Sequence, residues 1–155
     1  RGVDLNRNFP AKHFIPGGKK GEQGYSGPKA LSEPESYAVA TLTRQLMKQQ
    51  NLQGVVNYHA MGRIIYGDCT KGSLKKDTYK MYDIAKKITG YSKAPDSGSG
   101  KSWGGQYREY VMDLLNKPSI TIEIGSSAAP CPHWQYEIEF QKNRYVVVRI
   151  ANALK

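Results

Sequence analysis

Histidine and cysteine are both scarce in this 155-residue chain, with three and two copies, and acidic residues are outnumbered 13 to 23 by lysine and arginine. Two cysteines, Cys69 and Cys131, are too few for a disulfide scaffold, and neither belongs to a CxxC pair. A single bridge or two inert thiols both remain open. With His13, His59 and His133 as the whole histidine complement, no HExxH and no HxxE motif is present. No run approaches the roughly 18 apolar residues of a membrane span, and no signal-peptide pattern is visible. Neither a membrane partner nor a repeat architecture is therefore expected. The net charge of +10 favours acidic partners. The basic residues are nevertheless spread along the chain without a zinc-finger, RNA-recognition or helix-turn-helix signature, so they are read as a solvated basic surface and not a nucleic-acid site.

The length suffices for one domain with a core. Residues 1–31 are rich in Gly, Pro, Lys and Asn and read as loop, and a loop that long inside a domain is usually functional or disordered. Ser32, Pro34 and Glu35 announce a helix to about residue 50, with Ser32 and Glu35 as capping box and Val39, Leu42 and Leu46 facing inward. Strands are expected at 55–58, ending on His59, and at 63–66. A helix is expected over 74–88 (Met81, Ala85 and Ile88 inward), and a functional loop over 90–105. Further helix is expected at 107–115, a β-branched strand at 120–124, and a final helix at 137–154 with Phe140, Val147, Ala151 and Leu154 inward. Alternating helices and apolar strands indicate an α/β fold with parallel members, in which ligands collect at the C-terminal strand ends. His59 and Glu123 both sit near such ends.

Glu123 interrupts an otherwise apolar strand, Ile120-Thr121-Ile122-Glu123-Ile124. A buried carboxylate is costly unless paired, so it is either an edge residue facing solvent or a general base in a partly dry site. His59 is a candidate metal ligand, although a lone histidine is more often structural. His13 and His133 lie in loop-like sequence and are weaker candidates. In Asp4-Leu5-Asn6-Arg7-Asn8, a loop arginine among amide side chains suits a carboxylate, which guanidinium meets with a two-pronged contact.

Taken together, Gly2-Val3-Asp4-Leu5-Asn6-Arg7-Asn8-Phe9, Tyr25-Ser26-Gly27 with Ser32-Glu33-Pro34-Glu35, Val55 to His59, and Ser119-Ile120-Thr121-Ile122-Glu123 occur in the order and spacing of a known family. They resemble the zinc carboxypeptidases of the pancreatic type. The resemblance implies a three-layer α/β/α sandwich around a mixed, mostly parallel sheet, with the His59 and Glu123 strands side by side. It implies that Asn6 and Arg7 grip the substrate's terminal carboxylate. Asp4 would orient a zinc-bound histidine, His59 would bind zinc, and Glu123 would deprotonate the attacking water and pass the proton to the leaving amine. Tyr91 is the nearest match to the family's mobile substrate-binding tyrosine. His59-Ala60-Met61-Gly62 and Glu123-Ile124-Gly125 are similar to the bacterial branch that cleaves γ-D-glutamyl–diamino acid bonds in peptidoglycan stem peptides. An extracellular or cell-wall location follows from that likeness.

The departures are as informative. The family's other two zinc ligands, in an HxxE pair, and its oxyanion-stabilising arginine lie upstream of the Asn-Arg loop, and this chain begins at Arg1, just ahead of that loop. The chain is therefore expected to be the C-terminal part of one catalytic domain, a processed or truncated product inactive on its own, with the missing N-terminal half as a partner. A non-catalytic module binding acidic peptide termini on the same fold is the alternative. A zinc site built from Cys69, Cys131 and His133 is disfavoured by the poor Cys-Pro-His spacing. If the family sheet order holds, Cys69 and Cys131 are expected close together and bridged. Lys101, two residues before Trp103, falls where the family places its side-chain selector and would favour a carboxylate-bearing substrate.

Overall fold

The computed structural model describes residues 2–12, 14–49, 52–95 and 104–155. Along the chain run α1 (Pro34–Gln49), β1 (Val55–Ala60), β2 (Ile64–Tyr66), α2 (Gly72–Thr89), β3 (Ser92–Lys93), α3 (Tyr107–Glu109), β4 (Ser119–Ile124), α4 (Tyr136–Asn143) and α5 (Val146–Ala153). A 3-10 turn at Leu5–Arg7 precedes α1, and a π-helical turn at Tyr110–Leu114 extends α3. The chain divides into two compact units, Arg1–Leu52 with Ser99–Lys117, and Gln53–Gly98 with Pro118–Lys155.

The second unit holds the sheet, in the order β1-β4-β2-β3. β1 and β4 are parallel, β2 runs antiparallel to β4, and β3 is parallel to β2. The α/β class with a mixed sheet expected from the sequence is what forms. One end of the sheet gathers the C-termini of β1 and β4 and the N-termini of β2 and β3. On β4 the side chains alternate. Ile120 and Ile122 are fully buried and pack with Ile65, with Met81 and Ala85 of α2, and with Val146 and Ile150 of α5. Burying each such aliphatic side chain contributes about 1.5–3 kcal/mol. Thr121 and Glu123 are thereby turned to the opposite face. α2 ends as its sequence dictates, with Gly90 in the left-handed region at φ 69° and its N–H bonded to the Lys86 carbonyl.

The final helix differs from expectation. It breaks at Arg144 and Tyr145 into α4 and α5, and the break rotates the buried face. Val146 and Ile150 point inward and Leu154 packs against them, whereas Phe140, Val147 and Ala151 are exposed. On α4 the buried position belongs to a charged residue, Glu139, so the apolar stripe of the sequence is not the stripe that is buried.

In the first unit the long loop is ordered around one side chain. Asn8 Nδ2 donates to the Ser26 and Lys29 carbonyls and to Ser32 Oγ at 2.8, 3.0 and 2.9 Å, while its Oδ1 accepts from Glu33 N and Ser36 Oγ at 3.2 and 2.5 Å. Asn8 therefore takes up a backbone N–H at the start of α1. The Ser32 hydroxyl, expected as the cap, is engaged with Asn8 and Glu33 instead. The buried face of α1 is Ser36, Ala40 and Thr43, and Val39 and Leu42 are exposed, contrary to the apolar pattern. The small residues are buried because aromatic side chains close on them. Tyr110 donates to the Ala40 carbonyl, Tyr107 meets Thr43 Oγ1 at 2.7 Å, and Phe9 packs on both tyrosine rings.

Candidate functional site

In the second unit, β1 and β4 are in register with His59 beside Glu123 and Asn57 beside Thr121. The strand period puts these four side chains on the face turned away from the α2–α5 core. Asn57 Nδ2 lies 2.9 Å from His59 Nε2 and 3.5 Å from Thr121 Oγ1. In this arrangement the amide N–H donates to Nε2; with the Asn57 amide turned over, Oδ1 would accept from the Nε2 N–H instead. Only the turned-over amide leaves Nδ1 unprotonated and so available to a metal. A metal-binding histidine commonly donates its other N–H to just such a carbonyl.

Glu123 Oε2 is buried without a hydrogen-bond partner among the described residues. Burial raises the Glu123 pKa, and the neighbouring His59 partly offsets this. An unpaired buried carboxylate destabilises the fold it sits in, which is the pattern of a side chain retained for chemistry. The pH dependence follows. A raised folded-state pKa means the folded chain holds the proton more tightly than the unfolded chain. Stability is therefore lost as pH rises from the ordinary value of 4.5 through the folded value. Glu123→Gln should stabilise this chain at pH 7, with the gain fading as the pH falls below the ordinary carboxylate value of 4.5. Chemical denaturation on either side of that value measures it, and a variant less stable at pH 7 would count against an unpaired carboxylate.

Tyr91 is not where the resemblance implied. It belongs to the hydrophobic core, 2% exposed, and its hydroxyl donates to Glu139 Oε2 and accepts from Asn143 Nδ2 at 2.9 Å. Burial, reinforced by Glu139, pushes its pKa far up, so the phenol stays neutral. This is a core tyrosine in place of the expected mobile one. The expected Cys69–Cys131 bridge is likewise absent: both are free thiols. Cys69 Sγ donates to the Lys71 carbonyl, and Cys131 Sγ faces the Ile124 carbonyl at 3.7 Å and packs where a side chain on Gly125 would have to go.

The first unit presents the Asn-Arg loop. Asp4 Oδ1 accepts from Asn6 N at 3.0 Å and caps the 3-10 turn. Asn6 Oδ1 accepts from Tyr107 N at 3.0 Å, and Arg7 Nη1 donates to the Asn6 carbonyl at 2.9 Å. Gly104 and Gly105 close on this loop. Gly105 N donates to the Arg7 carbonyl at 3.0 Å, and a Cβ on Gly104 would fall 1.9 Å from the same oxygen. Arg7 is half-buried, with one guanidinium edge spent locally. Lys101, His13 and Trp103 lie outside the described residues.

Sequence reasoning missed Asn57, Arg63 and Glu139. Asn57 was legible as a polar residue two positions before His59 on the same strand face. Glu139 left no such signal, because it lies off the apolar stripe of Phe140, Val147, Ala151 and Leu154. A cavity of about 410 Å³ in the second unit is lined by residues that include Tyr58, Ile124, Cys131, His133, Tyr136 and Phe140. Among the described residues no three His, Cys, Asp or Glu side chains cluster, so Cys69, Cys131 and His133 do not form a metal site. The His59–Glu123 pair fits one edge of a zinc centre, one imidazole ligand beside a base, where catalytic zinc takes three protein ligands.

The model of the family described as zinc carboxypeptidase matches residues 1–145. The chain is 29% identical over 145 residues to γ-D-glutamyl-L-diamino acid endopeptidase 1 of Lysinibacillus sphaericus, covering 91% of this chain and 34% of that protein. It therefore spans about a third of that relative's length. Among solved structures, bovine thrombin-activatable fibrinolysis inhibitor matches with a TM-score of 0.75 at 22% identity, over 98% of this chain and 56% of the other. The murein-tripeptide amidase of Escherichia coli O157 matches with a TM-score of 0.59 at 21% identity, over 99% of this chain and 58% of the other. At these identities the structural likeness establishes the fold.

Proposed function

We propose that this chain, which belongs to the zinc carboxypeptidase family, contributes one zinc-binding histidine, the general base and the carboxylate-anchoring loop of a metallopeptidase. The remaining zinc ligands would come from sequence upstream of Arg1. The observation that carries the reading is the register of His59 with Glu123 at the shared end of two parallel strands, where a Glu123 oxygen is buried and unpaired among the described residues. Zinc, when bound, would polarise a water molecule and the scissile carbonyl. His59 would hold it through Nδ1, with Asn57 fixing the ring through Nε2. Glu123 would take the proton from the attacking water and deliver it to the leaving amine. Burial raises its pKa, which makes the carboxylate a stronger base than an exposed glutamate. Asn6 and Arg7 would grip a free carboxylate of the substrate, with Asp4 holding the turn that presents them.

The substrate class proposed is a γ-D-glutamyl–diamino acid bond in a peptidoglycan stem peptide. The names of the Lysinibacillus relative and of the murein-tripeptide amidase support it, and the net charge of +10 would attract acidic wall peptides. A secreted or cell-wall location accords with such a substrate. Lys101 is proposed as the selector for a carboxylate-bearing side chain.

The test uses the complete protein, comprising this chain and its upstream segment, and stem peptides carrying the γ-D-glutamyl–diamino acid bond. Chelator-sensitive hydrolysis is expected, and about tenfold or greater loss of preference for the acidic substrate in Lys101→Ala. Tight binding of the stem peptide without hydrolysis, unchanged by chelator, would replace the enzyme with a binding module.

A further inference from the structure

Three strand connections at one end of the sheet converge on a single buried carboxylate. Glu139, on α4, is 3% exposed. Its Oε1 accepts from Arg63 Nε at 2.8 Å and from Arg63 Nη2 at 2.6 Å, and its Oε2 accepts from the Tyr91 hydroxyl. The Gly125 backbone N–H also faces the carboxylate and favours its ionised form. Each of these groups comes from a different connection. Arg63 lies four residues after His59, in the turn between β1 and β2. Gly125 lies two residues after Glu123, and Tyr91 immediately precedes β3. The connections also bond to one another: Gly62 N donates to the Gly125 carbonyl at 2.9 Å, and Ser92 N to the Arg63 carbonyl at 3.0 Å.

We propose that Glu139 is a positioning residue for the proposed reaction: by binding Arg63 and Gly125 together it holds the ends of the His59 and Glu123 strands in one fixed alignment. The inference rests on the peptidase reading of His59 and Glu123 for its functional meaning, but its geometry stands apart from that reading. A buried ion pair is a poor way to gain stability, because well-packed apolar side chains of similar volume do as well or better. What a carboxylate does here that an apolar residue does not is meet N–H and O–H groups from three directions at once, so that neither turn can shift without losing a favourable contact to its charge. Arg63 is itself committed to this arrangement. Its backbone is in the left-handed region at φ 51°, unusual for a side chain of that size, and this conformation lies in the turn that delivers its guanidinium to Glu139. The loop after β4 is pinned on its other side too, where Ser126 N donates to Gln135 Oε1 at 3.1 Å and Gly125 leaves room for Cys131. Glu139 thus joins a loop already held to the one turn that follows His59.

The variant is Glu139→Gln, close in shape but unable to accept as a carboxylate, with Val146→Ala as a control that destabilises the core without removing a hydrogen bond to Glu139. In the isotopically labelled chain, Glu139→Gln is expected to speed amide exchange at Gly62 by about tenfold or more relative to Ile120 and Ile122. It is also expected to broaden or split the ring signal of His59, while Val146→Ala raises exchange at all three amides together. In the complete protein, kcat is expected to fall about ten- to hundredfold with KM nearly unchanged, since small misalignments of reacting groups are felt in turnover. If Glu139→Gln does not fold, Arg63→Lys keeps the charge, loses the two-pronged contact, and should show the same local loosening. An unchanged His59 signal, or Gly62 exchange that rises only in step with Ile120 and Ile122, overturns the proposal. If the complete protein hydrolyses no peptide, the functional reading fails, while the exchange and ring-signal measurements still decide whether Glu139 aligns the two strands.

Discussion

Glu123→Gln in the complete enzyme should lower kcat by about two to four orders of magnitude and leave zinc content and KM nearly unchanged. The substitution keeps the volume of the side chain and its place on β4, where the residues on either side of it pack in register with β1 and β2. It removes the one property the reaction needs, a carboxylate able to accept a proton from water. The same change is expected to stabilise the fold at neutral pH, because the buried oxygen it replaces has no partner among the described residues. Opposite signs for turnover and stability in one variant distinguish a catalytic carboxylate from a structural one, whose removal would lower both. Steady-state kinetics, metal analysis and denaturation on the same preparation read all three. Turnover within a few-fold of the parent would remove Glu123 from the mechanism.

Arg7→Ala should raise KM about a hundredfold for substrates with a free carboxylate and far less for their amides, because a charge-assisted contact is worth about 1.5–3 kcal/mol. The loop itself should survive. Its shape is held by Asp4 on Asn6, by Asn6 on the Tyr107 N–H and by Gly105 on the Arg7 carbonyl, none of which uses the Arg7 side chain. Zinc content should be unaffected. Equal losses for free and amidated substrates would mean that Arg7 supports the loop and does not read the carboxylate.

Features set by local sequence are legible in it, and features set by remote partners are not. β1, β2 and β4 were legible because β-branched runs bounded by glycine and proline need nothing remote to define them, whereas the two-residue β3 lies in the stretch expected as loop. The place of Glu123 was legible because a carboxylate at an alternating position in such a run must face the other way from its isoleucine neighbours. Helix faces were read less well. The α1 pattern of Val39 and Leu42 suggested an inward stripe, but the neighbours that close on α1 are tyrosines, which need small residues beneath them and so buried Ala40 and Thr43 instead. The last helix was misread for a related reason: Glu139 takes the inward position on α4 because Arg63, 76 residues away, pairs with it. Long-range polar pairings leave no periodic trace. The Asn8 cap is of the same kind, since a side chain 25 residues upstream took over the start of α1 from the local Ser32. Tyr91 was misassigned because a tyrosine next to a loop reads alike whether its ring turns to solvent or into the core.

On the proposed function, His59 is one of the zinc ligands of a peptidase, with the remaining ligands supplied from outside residues 1–155. Calorimetric zinc titration of the complete protein and of its His59→Ala variant tests it most directly. One tightly bound zinc per molecule is expected for the parent, and loss of about two or more orders of magnitude in affinity for the variant, since catalytic zinc is held by three protein ligands. The present chain alone, with a single such ligand, should bind zinc only weakly. A His59→Ala protein that still takes up one zinc with the parent's affinity would contradict the claim.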